Sequence, residues 1–280
     1  MIRIITDSAA DFSASELEQY RITAIPLQIT FGCDAYEDGV TLTSDIFWQR
    51  IISGENPKTS QPSPDAFLTA FEEAREAGDG VVCILLSSGL SGTVQSALLA
   101  KSMADYDDIH IVDSQQAATA EKMLVLRACQ LRDEGTLTAR EAAQELERFT
   151  GRIKLYGCLD TLDYLARGGR IPQAAASLGS LVQLKVLVTI SEGKVALAGK
   201  GMGLHRTSAG LLKLIEQHKI DERFPVIPLY THTPDNCLNF IKKLNQAGIP
   251  CSEENLAAVG TTISTHVGPG VFGCVFVEAE

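Results

Sequence analysis

The sequence predicts an α/β protein of two domains, the first built on a parallel sheet and the second on a mixed one. Three observations lead there. Short apolar runs alternate with helical patterns four times before residue 150, which is the signature of parallel strands joined by helices. After Gly151 the texture changes: residues 185–190 and 194–197 flank Ser191-Glu192-Gly193 as a β-hairpin, so antiparallel pairing enters. The length of 280 residues, 45% hydrophobic and 21% charged, suits one large or two ordinary soluble domains. The boundary is drawn between residues 1–150 and 151–280.

Each element has a local reason. Residues 2–5 form a short strand, and Ser13-Ala14-Ser15-Glu16 has capping-box spacing for a helix to Tyr20. Residues 25–30 read as a second strand, at an edge or just starting because of Pro26, and 34–41 as polar turn. Thr43 caps a helix with Ile46, Phe47 and Ile51 on one face, stopped by Gly54. Thr59-Ser60-Gln61-Pro62-Ser63-Pro64 reads as a loop. Ser63 then takes the N-cap and Pro64 the first position of a helix that ends before Gly78. A strand at 81–86 leads through small residues to a helix from about Thr93. A strand at 109–113, a helix at 117–134 and a helix capped by Thr138 and Glu141 complete the first domain.

In the second, 155–159 is a strand, 160–167 a short helix, and Gly168-Gly169-Arg170 a break. Gly199, Gly201 and Gly203 read as a flexible loop. Helices at 207–218 and 234–246 bracket a strand at 226–230, and 265–270 is a turn before the last strand.

Composition narrows the function. A net charge of −11 disfavours nucleic acid, whose binders carry basic surfaces. No apolar run approaches a membrane span and no signal peptide is visible, so a cytosolic protein without stable membrane insertion is expected. The seven cysteines are scattered and never spaced C-x-x-C. They read as core residues in a reducing compartment rather than as disulfides or metal ligands. The five histidines show no metal spacing.

The chemistry concentrates in 84–97, where Ser87, Ser88, Gly89, Ser91, Gly92 and Thr93 crowd hydroxyls and backbone N–H groups before a helix. Such a terminus is a natural anion cradle, although a capped, tightly packed turn needs the same residues. No P-loop motif is present, which disfavours a phosphate site of that type. Gly89-Leu90-Ser91-Gly92-Thr93 nearly matches the nucleophile elbow, with Thr93 in place of the last glycine. A serine esterase or acyltransferase using Ser91 and His266 is therefore the alternative reading. His266 could equally be a satisfied turn histidine, and an analogy of fold alone suggests a covalent tether on it. Arg170 is either a helix-cap cation or a guanidinium facing a carboxylate. Asp7 and Asp113, beside Ser8 and Ser114, read as turn caps.

Six ordered stretches together resemble the DegV family of bacterial fatty-acid-binding proteins over essentially the full length. They are Thr6-Asp7-Ser8-x-x-Asp11; Thr59-Ser60-Gln61-Pro62-Ser63; Ser87 through Thr93 with Gln95-Ser96-Ala97; Val112-Asp113-Ser114; Leu162-x-Tyr164-Leu165-x-x-Gly168-Gly169-Arg170-Ile171; and His266-x-Gly268-Pro269-Gly270. One departure is Lys185-Val186, where the family often has Lys-Pro.

The resemblance implies a two-domain DegV-like fold with a long-chain fatty acid, such as palmitate, between the domains and no other cofactor. It implies that Thr59 and Ser91 bind the carboxylate directly and Gly92 through its N–H. Arg170 and His266 join the polar network, with Ser60 and Thr93 in support. It also implies an ATP-dependent kinase partner that makes acyl phosphate, the carrier itself catalysing nothing. Burying about fourteen methylenes at ~0.8 kcal/mol each would contribute roughly 11 kcal/mol before ordering costs.

Overall fold

In this computed structural model, which describes residues 1–173 and 184–280, the chain divides into two units. The first holds Met1–Gly151 and Gly260–Thr262, the second Arg152–Val259 and Ile263–Glu280.

The first unit carries β1 (Ile2–Asp7), β2 (Ile22–Ile25), β3 (Gln28–Phe31), β4 (Asp34–Glu37), β5 (Lys58–Ser60), β6 (Gly80–Leu85) and β7 (Ile109–Asp113). Its main sheet is parallel throughout, in the order β2-β1-β6-β7. Every residue of β6 is buried, as expected for a strand covered on both faces. Helices α1 (Ala14–Tyr20), α2 (Ser44–Ile52), α3 (Pro64–Ala77), α4 (Thr93–Ala104), α5 (Thr119–Glu134) and α6 (Ala139–Thr150) join the strands. Phe67, Phe71 and Ala74 of α3 and Ala97, Ala100 and Ala104 of α4 pack with Val81, Cys83 and Leu85 of β6. The alanines let α4 lie close to the sheet. Both capping boxes form, at Ser13 with Glu16 and at Thr138 with Glu141, and α3 runs from a Ser63 cap to a left-handed Gly78.

Several expectations change here. The strand expected at 25–30 is two strands: β2 lies in the parallel sheet, and β3 beyond Pro26 joins a separate antiparallel sheet, β4-β3-β5. The proline and Leu27 make the break, since proline has no N–H for a continuing ladder. Part of the polar turn at 34–41 is strand β4. Thr59 and Ser60, expected in a loop, lie in β5 opposite Ile29 and Gln28. On α2 the buried residues are Phe47, Trp48 and Ile51, whereas Ile46 is exposed.

The second unit contains β8 (Ile153–Leu159), α7 (Asp163–Arg167), β9 (Leu184–Ser191), β10 (Lys194–Met202), α8 (Leu204–Ile215), β11 (Ile227–Tyr230), α9 (Asp235–Gln246), β12 (Ala257–Ala258), α10 (Thr261–Val267) and β13 (Phe272–Val277). The sheet order is β10-β9-β8-β13-β11-β12, antiparallel except for β11 with β12. The β9–β10 hairpin turns at Glu192-Gly193, both at positive φ. Gly199 and Gly201 are strand residues rather than loop, following a register shift after Leu197. The turn expected at 265–270 begins as α10, which carries His266 in its last turn. Leu211, Ile215, Phe240, Phe272 and Phe276 form the core of this unit.

Cys33 is exposed, the other six cysteines are buried, and all seven are free thiols. Among the described residues no helix is long and apolar enough to cross a membrane, and no cluster of three or more His, Cys, Asp or Glu is arranged to hold a metal.

Candidate functional site

The turn between β6 and α4 is shaped by two serines before any ligand is considered. Ser87 is buried; its carbonyl accepts from the N–H groups of Leu90 and Ser91 at 2.9 and 3.1 Å, and its hydroxyl accepts from Gly89 N–H at 3.2 Å. The Ser88 backbone and hydroxyl both donate to Asp113, at 3.1 and 2.5 Å. Asp113 is thus a turn-fixing carboxylate, and Asp7 is another, accepting from Ala9 and Leu86 N–H at 2.9 and 2.8 Å. Burial pushes the Asp7 carboxyl up to about 7 against these two bonds, and Asp38 adds a smaller repulsion in the same direction.

What remains for a ligand is the end of the turn. Ser91 Oγ and Thr93 Oγ1 lie 2.8 Å apart. Gly92 occupies the N-cap of α4 and supplies no side-chain acceptor, so the helix begins with its partial positive charge uncapped by that residue. Gly92 has an ordinary φ of −78°, so it is not there for backbone freedom. It is there for space: a Cβ would collide with the Gln61 carboxamide, whose Nε2 donates to Ser96 Oγ at 2.9 Å. Gln61 therefore ties the segment after β5 to α4, on the segment that carries half-buried Thr59 and exposed Ser60.

Gly92→Ala should cost about 0.5–1.5 kcal/mol of stability, the net value of the Gln61–Ser96 bond lost when the exposed Gln61 side chain swings aside. In a Gln61→Ala background the same substitution should cost little. Urea unfolding of the wild type, both single variants and the double variant checks it; fully additive losses in the double variant would exclude displacement of Gln61 as the cause.

A second group lies in the second unit, where α7 ends and α10 ends. Arg170 donates to the Gly168 carbonyl at 2.5 Å, and Gly168 N–H donates to the Tyr164 carbonyl at 2.9 Å. A Cβ on Gly168 would strike the His266 ring at Nδ1, and a Cβ on Gly268, at φ +74°, would strike the Tyr164 ring. These two glycines are thus required by close approach of an imidazole and a phenol. Burial, and then the nearby Arg170 charge, lower the His266 pKa to about 4, so the ring is neutral at pH 7. Burial also lowers the Arg170 pKa. Lys185, at the departure from the family pattern, pairs with Asp160.

Of the residues expected to act, Thr59, Ser60, Ser91, Gly92 and Thr93 belong to the first unit, and Arg170 and His266 to the second. Ser91 and Thr93 are brought together, as are Arg170, Gly168 and His266. Gln61, Ser96, Tyr164 and Gly168 carry packing roles that their positions in the motifs did not reveal. The hydroxyl beside Ser91 belongs to Thr93, and either of the two can donate to the other.

Comparison with known proteins follows the same lines. The family model described as "Uncharacterised protein, DegV family" matches residues 1–279. A DegV domain-containing protein of Caldanaerobacter subterraneus subsp. tengcongensis is 30% identical over 277 residues, covering 99% of each chain. Among solved structures, a DegV family protein from Thermus thermophilus, described by its fatty acid binding, shares 31% identity at a TM-score of 0.87, with 99% of each chain covered. A stearic acid-binding protein from Eubacterium ventriosum shares 26% identity at 0.86, over 99% of this chain and 98% of that one. DegV of Bacillus subtilis, described as a fatty acid binding protein, shares 28% at 0.83, with 99% of each chain covered. The hydroxyl-rich turn, the two-unit α/β architecture and these full-length matches agree, and the chain belongs to the DegV family.

Proposed function

We propose that this protein binds a long-chain fatty acid and presents its carboxylate to an ATP-dependent fatty acid kinase, itself breaking and making no bonds. The Ser91–Thr93 hydroxyl pair at the glycine-opened start of α4 carries this reading, because it offers neutral donors and a helix terminus to one small anion. Fatty acid binding by the Thermus, Eubacterium and Bacillus relatives supports the choice of anion. In the proposed complex Thr59 and Ser91 donate to the carboxylate and Gly92 N–H adds a third bond. Ser60 and Thr93 support them, and Arg170 and His266 complete the polar surroundings. Residues 1–150 would supply the head-group loops and 151–280 the rest of the lipid pocket, in the cytosol and with no further cofactor.

Neutral donors leave one carboxylate oxygen free to attack the γ-phosphorus of ATP held by the partner, with ADP leaving. Denaturing the purified protein and analysing the organic extract by mass spectrometry tests the first step. The expected result is a fatty acid in near-stoichiometric amount. A protein that yields none, and takes up none when palmitate is offered, would sink the reading.

A further inference from the structure

Two carboxylates have no role at the turn between β6 and α4: Asp11, which closes the stretch Thr6-Asp7-Ser8-x-x-Asp11, and Asp38, just after β4. Asp38 is buried and is surrounded by hydroxyl donors. Its Oδ1 accepts from Thr261 Oγ1, and its Oδ2 accepts from Thr262 Oγ1 at 2.6 Å and from Ser8 Oγ at 2.8 Å. Ser8 Oγ in turn accepts from Leu27 N–H at 3.0 Å, and Asp38 N–H donates to the Leu27 carbonyl at 2.9 Å. The carboxyl of Asp11 lies against Gly260, where any Cβ would strike it. Residues 261 and 262 are thus held by Asp38, and residue 260 packs against Asp11, all of them within the first unit.

Thr261 and Thr262 open α10, whose sequence is Thr-Thr-Ile-Ser-Thr-His-Val. Seven residues are too few for a helix to persist unaided, and five of the seven are β-branched and lose side-chain freedom in a helix. Its direction and register must come from anchors. Asp38 accepts a hydroxyl bond from each of the first two residues of α10; His266 sits five residues after the first of them.

We propose that Asp38 is a positioning residue: by holding Thr261 and Thr262 it sets the helix that carries His266, and thereby what that imidazole contributes to ligand binding. The ligand part rests on the function proposed above; the placement of His266 does not. The hydroxyl-to-carboxylate bonds, rather than the shape of the threonines, carry the effect.

The test compares Asp38→Asn, Thr261→Val/Thr262→Val, which removes both hydroxyls at nearly constant shape, and Thr261→Ser/Thr262→Ser, which keeps them. NMR of labelled histidine follows the His266 imidazole, assigned by its loss in His266→Gln, and calorimetry follows palmitate binding. In the asparagine and valine variants the His266 titration should rise from about 4 toward the ordinary 6.5, and palmitate should bind at least tenfold more weakly. The serine variant should match the wild type in both. Folded asparagine and valine variants with wild-type His266 titration would overturn the proposal. So would loss of folding in both while the serine variant folds, because the contact would then serve stability alone. A wild type that binds no fatty acid, with the His266 shifts still seen in the variants, would refute the proposed function and leave the positioning intact.

Discussion

Replacing Thr59 and Ser91 together by alanine should weaken palmitate binding at least a hundredfold while the protein stays folded. A hydrogen bond to a charged group contributes about 1.5–3 kcal/mol, so two lost donors amount to roughly 3–6 kcal/mol. Both side chains are half-buried, so water replaces them only in part at the carboxylate. The alkyl tail is unaffected, and residual binding should persist through its apolar contacts. Some stability will also go, because buried Thr93 loses the hydroxyl 2.8 Å away when Ser91 becomes alanine. Isothermal titration with palmitate at pH 7.5, alongside a urea unfolding curve, separates the two effects. An affinity within threefold of wild type would move the head group away from this turn.

Raising the pH from about 4 to 7 should remove stability through Asp7, in opposition to the surface ion pairs. Burial raises the Asp7 pKa from 3.8 to about 7, so the folded protein keeps a proton that the unfolded chain releases. The stabilisation is therefore complete below the unfolded value and is lost as pH climbs through 7. Three units correspond to roughly 4 kcal/mol at the linkage constant of about 1.36 per unit. Burial moves Asp11 and Glu121 in the same direction, and their mutual repulsion with Asp7 adds to it.

Other carboxylates work the other way. Asp79, held down by the N-terminus and Arg3, and Glu278, held down by His218 and Lys154, stabilise the fold above the usual carboxylate range and lose that effect in acid. Asp7→Asn isolates the buried contribution. The carboxamide faces two backbone N–H donors with only one acceptor, so the variant should be less stable throughout. Its stability should nevertheless fall less steeply from pH 4.5 to 7.5 than that of the wild type. Parallel wild-type and variant curves from urea unfolding across that range would show that Asp7 holds no such proton.

Legibility in the sequence followed the range of the interactions concerned. Ser13 with Glu16, Thr138 with Glu141, and Ser63-Pro64 with Gly78 act within one helix, and each sits where the residues suggested. The β6 turn was equally visible because serine and glycine have few other uses after a buried strand. The antiparallel sheet β4-β3-β5 was missed because its strands are three or four residues long and Pro26 hides where one ends and another begins. Helix α10 was missed because its β-branched residues favour strand, and tertiary anchoring overrides that preference. In the candidate site, the nearness of Ser91 to Thr93 follows from two positions in one short turn. Gln61 over Gly92 and His266 over Gly168 depend on chain segments far apart in sequence, which spacing cannot report.

The return of residues 260–262 to the first unit bears on how such a chain can be cut and recombined. A fragment ending at Gly151 would keep Asp38 but lose two of the three hydroxyls that neutralise its burial. The complementary fragment would carry Thr261 and Thr262 without their acceptor. Modular exchange of either half with a relative therefore has to move this tripeptide and Asp38 together. The unit of inheritance here is a pairing between two distant stretches of chain, and a single crossover near residue 151 would separate them.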